Sequence, residues 1–329
     1  MQARSVLTVT ALLAVSACAV QGATSPAWAT RDLKAGIIGT DTSHVPAFTG
    51  LFARHPEWRV KVVAAFPAGS PDIPSSANRV EKYARQLAEK FGVEIVDSIA
   101  ALLPKVDVVL IESVDGRPHL EQARPVFEAG KPMFIDKPFT ASLADAREIV
   151  RLSKETGVPF FSSSCVRFQP EKAKFRHYKG VGKLLKAQGS SPLHIEPHHP
   201  DLFWYGIHGV EALYTVLGRG CVSVKRDAGA KLDITTGTWE DGTIGIFRGV
   251  RKGDYKPLIR VWGTEGEEES KGGYNYTGLV ETMAEFFHTR KPPIDPLETL
   301  ELIEFMTAAQ LSKARGGGEV KLEELRKAE

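Results

Sequence analysis

The sequence predicts an α/β fold in two parts. The first is a doubly wound parallel sheet. The second is an α+β domain with a mainly antiparallel sheet. Two observations carry this. Apolar, β-branched runs alternate with amphipathic helical stretches over about 130 residues, the grammar of βαβ units. After Phe168 the grammar changes, and Gly, Pro and Asp turns crowd between short strand-like runs. The length of 329 residues suits two domains at roughly 150 residues each.

The first residues are read as an address rather than as fold. Residues 1–29 hold no acid and one Arg, Arg4, ahead of an apolar run from Val6 to Val20. Ala27-Trp28-Ala29 then offers an A-x-A cleavage site. Val15-Ser16-Ala17-Cys18 competes as a lipobox, with Cys18 the residue to be lipidated. Either reading exports the chain, to the periplasm or to a lipid anchor at the cell envelope. The lipoprotein route is placed slightly ahead.

The mature elements follow in order. Lys34–Gly39 reads as a buried strand, Val45–Arg54 as a helix and Val60–Phe66 as a β-branched strand. Ala68–Ser76 is a loop by its Pro, Ser and Gly. Asn78–Phe91 is a helix stopped by Gly92. Val106–Ile111 is a strand, Pro118–Ala129 a helix and Pro132–Ile135 a strand. Ser142–Thr156 is a helix and Val158–Ser162 a further strand. The boundaries are therefore 30–167 for the first domain and 168–329 for the second. In the second, a helix is expected at Ile207–Leu217. Strands follow at Val222–Arg226, Leu232–Trp239, Thr243–Phe247 and Leu258–Trp262, and helices at Gly278–Thr289 and Pro296–Ala314.

Composition excludes several functions. The balance of 42 Lys+Arg against 40 Asp+Glu, formally +2, lacks the cationic surplus that nucleic acid needs. Three cysteines are too few for a disulfide framework or a Cys-ligated structural zinc. Cys165 and Cys221 are expected as buried free thiols.

Ligands of such sheets bind at the carboxyl ends of strands. There, Gly36-Ile37-Ile38-Gly39-Thr40-Asp41-Thr42-Ser43-His44 stands where a dinucleotide fingerprint belongs. Only Gly39 keeps its glycine; Asp41 and His44 replace the other two. Thr40, Thr42 and Ser43 still offer hydroxyls and helix-end N–H groups to an anion. The plainer alternative is that Asp41 or Ser43 caps the helix. No acid follows the second strand until Asp72, so the ribose-binding signal that would separate NAD from NADP is missing. Asp136-Lys137-Pro138 ends another strand, and a partly desolvated Lys there suits proton transfer.

These segments together resemble the glucose–fructose oxidoreductase/inositol dehydrogenase/MocA (Gfo/Idh/MocA) family. The resemblance rests on GIIG after the first strand and on Asp115–His119 after VDVVLIES. It rests also on the AGKPMFIDKPF block, the Gly206-Ile207-His208 helix start and the closing helices. It implies a Rossmann-like domain plus an open-faced sheet domain, a homo-oligomer, and NAD or NADP as cofactor. The implied activity is hydride transfer at a hydroxyl of a sugar, polyol or derivative. By resemblance, Lys137 and His208 are the acid/base pair. The loops holding Gly36, Gly39, Thr40, Asp41, Thr42, Ser43, His44, Glu112, His119 and Asp136 meet the cofactor. Many members carry an Asp four residues before the catalytic His; here that position is Trp204.

The stretch from Glu196 to His208 is the densest polar and aromatic cluster. His198, His199, Asp201, Trp204 and Tyr205 are read as a sugar-binding set, since aromatic faces stack on pyranoses and polar groups meet hydroxyls. Arg167 is added for a substrate acid or hydroxyl, against a plainer reading as a bridge between domains. Near a helix amino end His208 is expected neutral. Glu196, His198, His199 and Asp201 are too irregularly spaced for a metal to be assigned. Two rivals stay open. One is a lyase or glycoside-cleaving enzyme with tightly held or no nicotinamide. The other is a non-catalytic sugar-binding lipoprotein.

Overall fold

Six parallel strands run in the order β3-β2-β1-β4-β5-β6 in a computed structural model that describes residues 24–253 and 255–327. The strands are β1 (Leu33–Ile38), β2 (Val60–Phe66), β3 (Glu94–Ile95), β4 (Val108–Ile111), β5 (Met133–Ile135) and β6 (Phe160–Ser162). The order reverses beside β1, so the crevice between the ends of β1 and β4 is the topological switch point. The lipobox at Cys18 and the apolar leader lie outside the described residues. Among the described residues no helix is long and apolar enough to cross a membrane.

Apolar side chains on both faces explain why the central strands are continuous runs rather than alternating ones. All four residues of β4 and all three of β5 are buried. The flanking helices start and stop where their caps dictate. Ser142 accepts the N–H of Asp145 at 3.1 Å and opens helix Leu143–Thr156. Gly157 closes it at φ +68°, a conformation that favours glycine.

The second sheet has seven strands in the order β12-β11-β7-β10-β9-β8-β13. They are β7 (Leu184–Pro192), β8 (Cys221–Ala228), β9 (Leu232–Trp239), β10 (Ile244–Val250), β11 (Leu258–Gly263), β12 (Gly266–Glu269) and β13 (Val320–Lys321). Its pairs are antiparallel except β7 with β10. Strict alternation of burial along β9 and β10 marks a sheet with one covered face. Helix Ile207–Leu217 covers β7 and β10, and helix Pro296–Ala314 covers β8.

The two halves of the sequence are not two separate packing units. Helix Thr277–Thr289 belongs to the second half but packs on the first sheet. Its Leu279, Val280, Met283 and Phe286 share one apolar cluster with Ile37, Phe48, Phe134 and Phe161. This return carries Tyr274 and Tyr276 to the switch point.

Candidate active site

Five chain segments converge at the switch-point crevice. Thr42, Ser43 and His44 arrive after β1, and Lys137 after β5. Cys165 follows β6, His208 opens the helix over the second sheet, and Tyr274 and Tyr276 precede the returning helix. They line a cavity of about 270 Å³, together with Arg79, Trp204 and Tyr205. A larger cavity of about 730 Å³ lies by the amino ends of β1 and β2 and holds none of the residues singled out in the sequence.

Two hydrogen-bonded pairs set the chemistry of the smaller cavity. His44 Nδ1 lies 2.6 Å from Asp136 Oδ2, and Asp136 Oδ1 accepts the backbone N–H of Lys137 at 2.8 Å. Burial pushes the Asp136 carboxyl up. His44 and Lys137 outweigh burial and hold it below its ordinary range. The other pair is His208 Nδ1 with Ser164 Oγ at 2.7 Å. Burial, then the charges of Lys137 and His44, pull His208 well below its ordinary value. Its ring is therefore neutral and able to accept a proton. With Nδ1–H donating to Ser164, the Nε2 lone pair is left free. That tautomer is inferred from the role, because a hydroxyl serves as donor or acceptor. Ser164 thus gives His208 the hydrogen-bond partner that Trp204 does not.

Lys137 is only 9% exposed, and no partner of its ammonium is found among the described residues. Cys165 lies beside it as a free thiol, pushed up to about 11 by burial, so it is no nucleophile at neutral pH.

Other residues singled out in the sequence sit behind the cavity wall. Glu112 is fully buried, and neither carboxylate oxygen has a partner. Burial, then Asp136 and Asp41, raise its pKa well above the ordinary range, so it is protonated. Gly36 lies within β1, where a Cβ would meet Leu102 Cδ2 at 2.7 Å. His119 is fully buried, its ring nitrogens 3.0 Å from Phe139 O and 2.9 Å from Ser113 O. It ties the β4 and β5 loops together.

Arg167 and Asp201 are not brought to the cavity. The Arg167 guanidinium is buried against Glu211 and Glu298, which is the bridging role. Asp201 pairs with Arg226 at 2.9 Å and Lys313 at 2.5 Å. A buried guanidinium requires such carboxylates, which leaves neither group free for a ligand.

The His-rich loop works as a clamp. His199 Nε2 lies 3.0 Å from Asp115 Oδ1. His198 bridges Glu196 at 2.7 Å and Asp72 at 3.5 Å. Arg117 donates to both oxygens of Asp72 at 2.8 Å, and Ser70 donates to Asp115 at 2.5 Å. The loop and the end of β4 thereby hold the segment Ala68–Ala77. Ile73 of that segment packs with Val114 and Trp204.

This closure bears on the dinucleotide that the family motifs imply. A pyrophosphate runs over the middle of the fingerprint in this architecture. Here Thr40 and Asp41 are fully buried. The Thr40 N–H is donated to Ala68 O at 3.1 Å. Asp41 accepts Val114 N–H at 2.9 Å and the Ser76 hydroxyl at 2.5 Å. Burial pushes its pKa up against those two bonds. In this arrangement the segment Ala68–Ala77 covers the middle of the fingerprint, where a pyrophosphate would lie. A dinucleotide would have to displace that segment from the first loop. Gly39, at φ +89°, is pressed against the end of β4, where a Cβ would meet Ser113 N at 2.5 Å.

Four residues escaped the sequence reading: Arg79, Ser164, Tyr274 and Tyr276. Ser164 ends the run Ser162-Ser163-Ser164, and Tyr274-Asn275-Tyr276 lies in a glycine-rich stretch. Nothing local distinguished Arg79 from its charged neighbours.

The fold and switch-point cavity define a Rossmann-type domain joined to an open-sheet domain. Residues 33–164 match the model of the Gfo/Idh/MocA family, described as an oxidoreductase family with an NAD-binding Rossmann fold. That segment is similar to the Rossmann domain of this family, the likeness its motifs carry. A D-xylose 1-dehydrogenase (NADP(+)) of Hypocrea jecorina is 26% identical over 112 residues, 33% of this chain and 28% of that enzyme. A 1,5-anhydro-D-fructose reductase of Ensifer adhaerens is 26% identical over 147 residues, 43% of each. The chain thus spans less than half the length of these curated relatives. The myo-inositol dehydrogenase of Lactobacillus casei, solved with NAD(H) and myo-inositol, superposes with a TM-score of 0.71 at 16% identity. That match covers 88% of this chain and 96% of that one, and so extends the shared fold to the second domain.

Proposed function

We propose that the chain is an oxidoreductase acting at a hydroxyl-bearing carbon of a sugar, a polyol or a derivative, with NAD or NADP as its redox partner. The family of residues 33–164 supports the redox partner. The dehydrogenase and reductase relatives support the substrate class. The observation that carries the reading is the pairing of an unpartnered Lys137 ammonium with a neutral His208 in one small cavity.

The chain's own part is proton transfer and positioning. His208, oriented by Ser164, accepts the hydroxyl proton at Nε2. Lys137 stabilises the negative charge that develops on the substrate oxygen. Asp136 fixes the Lys137 backbone and, through His44, the adjoining wall. Such positioned acid/base groups contribute about 10²- to 10⁴-fold in rate.

A second reading is favoured by the closed segment over Asp41. The same acid/base set also serves elimination or glycoside cleavage without an exchangeable nicotinamide. Thermal unfolding of the full chain with NAD+ or NADP+ separates the two. A nucleotide at 100 times its Kd stabilises the folded state by about 2.7 kcal/mol. A raised melting temperature supports the oxidoreductase; none with either nucleotide leaves the second reading.

Export by the leader, with lipidation at Cys18, belongs to the same proposal and is read by cell fractionation. A homo-oligomer is read by light scattering.

A further inference from the structure

We propose that the substrate of this cavity carries a carboxylate and that Arg79 binds it. The inference rests on the reading that Lys137 and His208 act on a hydroxyl, and it narrows that reading to polyhydroxy acids.

Arg79 lines the cavity half-buried, and no partner of its guanidinium is found among the described residues. Arg117, by contrast, is tied to both Asp72 and Asp115. Lys137 is the second cation of the wall, nine-tenths buried and likewise unpartnered. Among the described residues, no Asp or Glu lines the cavity. Asp136, which does not line the cavity, is engaged by His44 and the Lys137 N–H. His208 is neutral. A wall with two unpaired cations and no acid attracts an anion and leaves a neutral sugar to compete with water for the same donors.

Two further features point the same way. The Thr42 and Ser43 hydroxyls stand at the amino end of helix His44–Arg54, which has no acid in its first turn. That end favours negative charge. The volume of about 270 Å³ falls just below the roughly 300–1,000 Å³ of sites for drug-sized ligands, so the occupant is about one sugar ring in size. A carboxylate at Arg79 and a hydroxyl at Lys137 place one sugar acid across the cavity. A planar guanidinium matches a carboxylate with two parallel bonds.

Phosphate presents the same anionic chemistry, from a sugar phosphate or from a nucleotide. Calorimetry on the full chain distinguishes these sources. The probes are glucuronate against glucose, gluconate against glucitol, glucose 6-phosphate and NAD+. The proposal expects each acid to bind at least about tenfold tighter than its neutral counterpart. It expects Arg79→Gln to weaken the acids by about 10- to 100-fold, the span of a lost charge-assisted bond. The melting temperature should not move, because the Arg79 guanidinium has no partner among the described residues and the substitution leaves its backbone bonds in place. Equal binding of acid and neutral partners overturns the proposal. So does acid binding that survives Arg79→Gln, or a preference for the phosphate over both acids. Loss of NAD+ affinity alone in the variant assigns Arg79 to the nucleotide and also overturns it. So does failure of either acid to bind. These measurements read binding, not turnover, so a failed oxidoreductase reading leaves their outcome intact.

Discussion

His44 Nδ1 and Asp136 Oδ2 meet at 2.6 Å across 92 positions of sequence. His44 stands where a dinucleotide fingerprint has its last glycine, and Asp136 immediately precedes Lys137 at the end of β5. The two form one buried His–Asp pair. Its ring stacks on Phe48 with centroids 4.9 Å apart. Asp136→Asn keeps the shape and removes the charge. We expect kcat to fall by about 100-fold, with KM changed little because Asp136 does not line the cavity. Steady-state kinetics on a folded variant checks this.

Among the described residues the Lys137 ammonium forms no ion pair, and it acts on Asp136 only through its charge. Lys137→Met should lower turnover by about 10²- to 10⁴-fold and change stability by no more than about 1 kcal/mol. Activity and urea unfolding, measured together, read both. A collapse of stability would make Lys137 structural.

His208 stays neutral as pH falls, because burial and two nearby cations depress its pKa. Its accepting form therefore persists below the ordinary 6.5, and the acid limb of kcat/KM should lie below that value. Ser164→Ala removes the partner of Nδ1. It should cost about tenfold or more in kcat and alter that limb, which a merely structural serine would not do.

Glu112 titrates the other way. Its folded pKa stands above the unfolded one, so the folded state holds the extra proton. Stability is full below the ordinary value of 4.5. It declines as pH rises from there toward the folded pKa, by up to about 1.4 kcal/mol per pH unit. Glu112→Gln removes that decline. The variant should gain on the wild type as pH rises above 4.5 toward the folded pKa of Glu112. Unfolding across that range reads the difference; parallel curves would contradict it.

Trp28 bears on processing. It packs on His288 with ring centroids 5.6 Å apart, and Ala29 is buried. Cleavage after Ala29 would remove this contact, whereas cleavage before Cys18 keeps it. On the export and lipidation proposed above, intact mass of the mature chain should therefore place its first residue at Cys18. A chain that begins at Thr30 would contradict this.

The first sheet was legible because β1, β2, β4, β5 and β6 are short apolar runs closed by loops and Gly-stopped helices. The strand β7 was not. Its LLKAQGSSP is poor in β-branched residues, and its burial comes from helix Ile207–Leu217 lying on it. Lys137 and His208 were legible through motifs with fixed local spacing. Arg167 and Asp201 misled because a charged residue reads alike whether it faces a ligand or a buried partner. Glu298, which engages Arg167, is 131 positions away. The His198–His199 cluster misled likewise, since its partners Asp72 and Asp115 come from the first domain. Arg79 was illegible because what marks it is the absence of a partner.

The central claim is that Lys137 and His208 act together on one substrate hydroxyl. The most direct test is the rate of nicotinamide reduction, with NAD+ or NADP+ and a panel of sugars and sugar acids. It is measured for the wild type, Lys137→Ala, His208→Ala and the double variant. Groups that act as a unit are not additive. The account predicts a substrate-dependent rate that falls by about 10²-fold or more in each single variant, with the double variant scarcely worse. Wild-type rates retained in either single variant, or no reduction with any substrate, would contradict it.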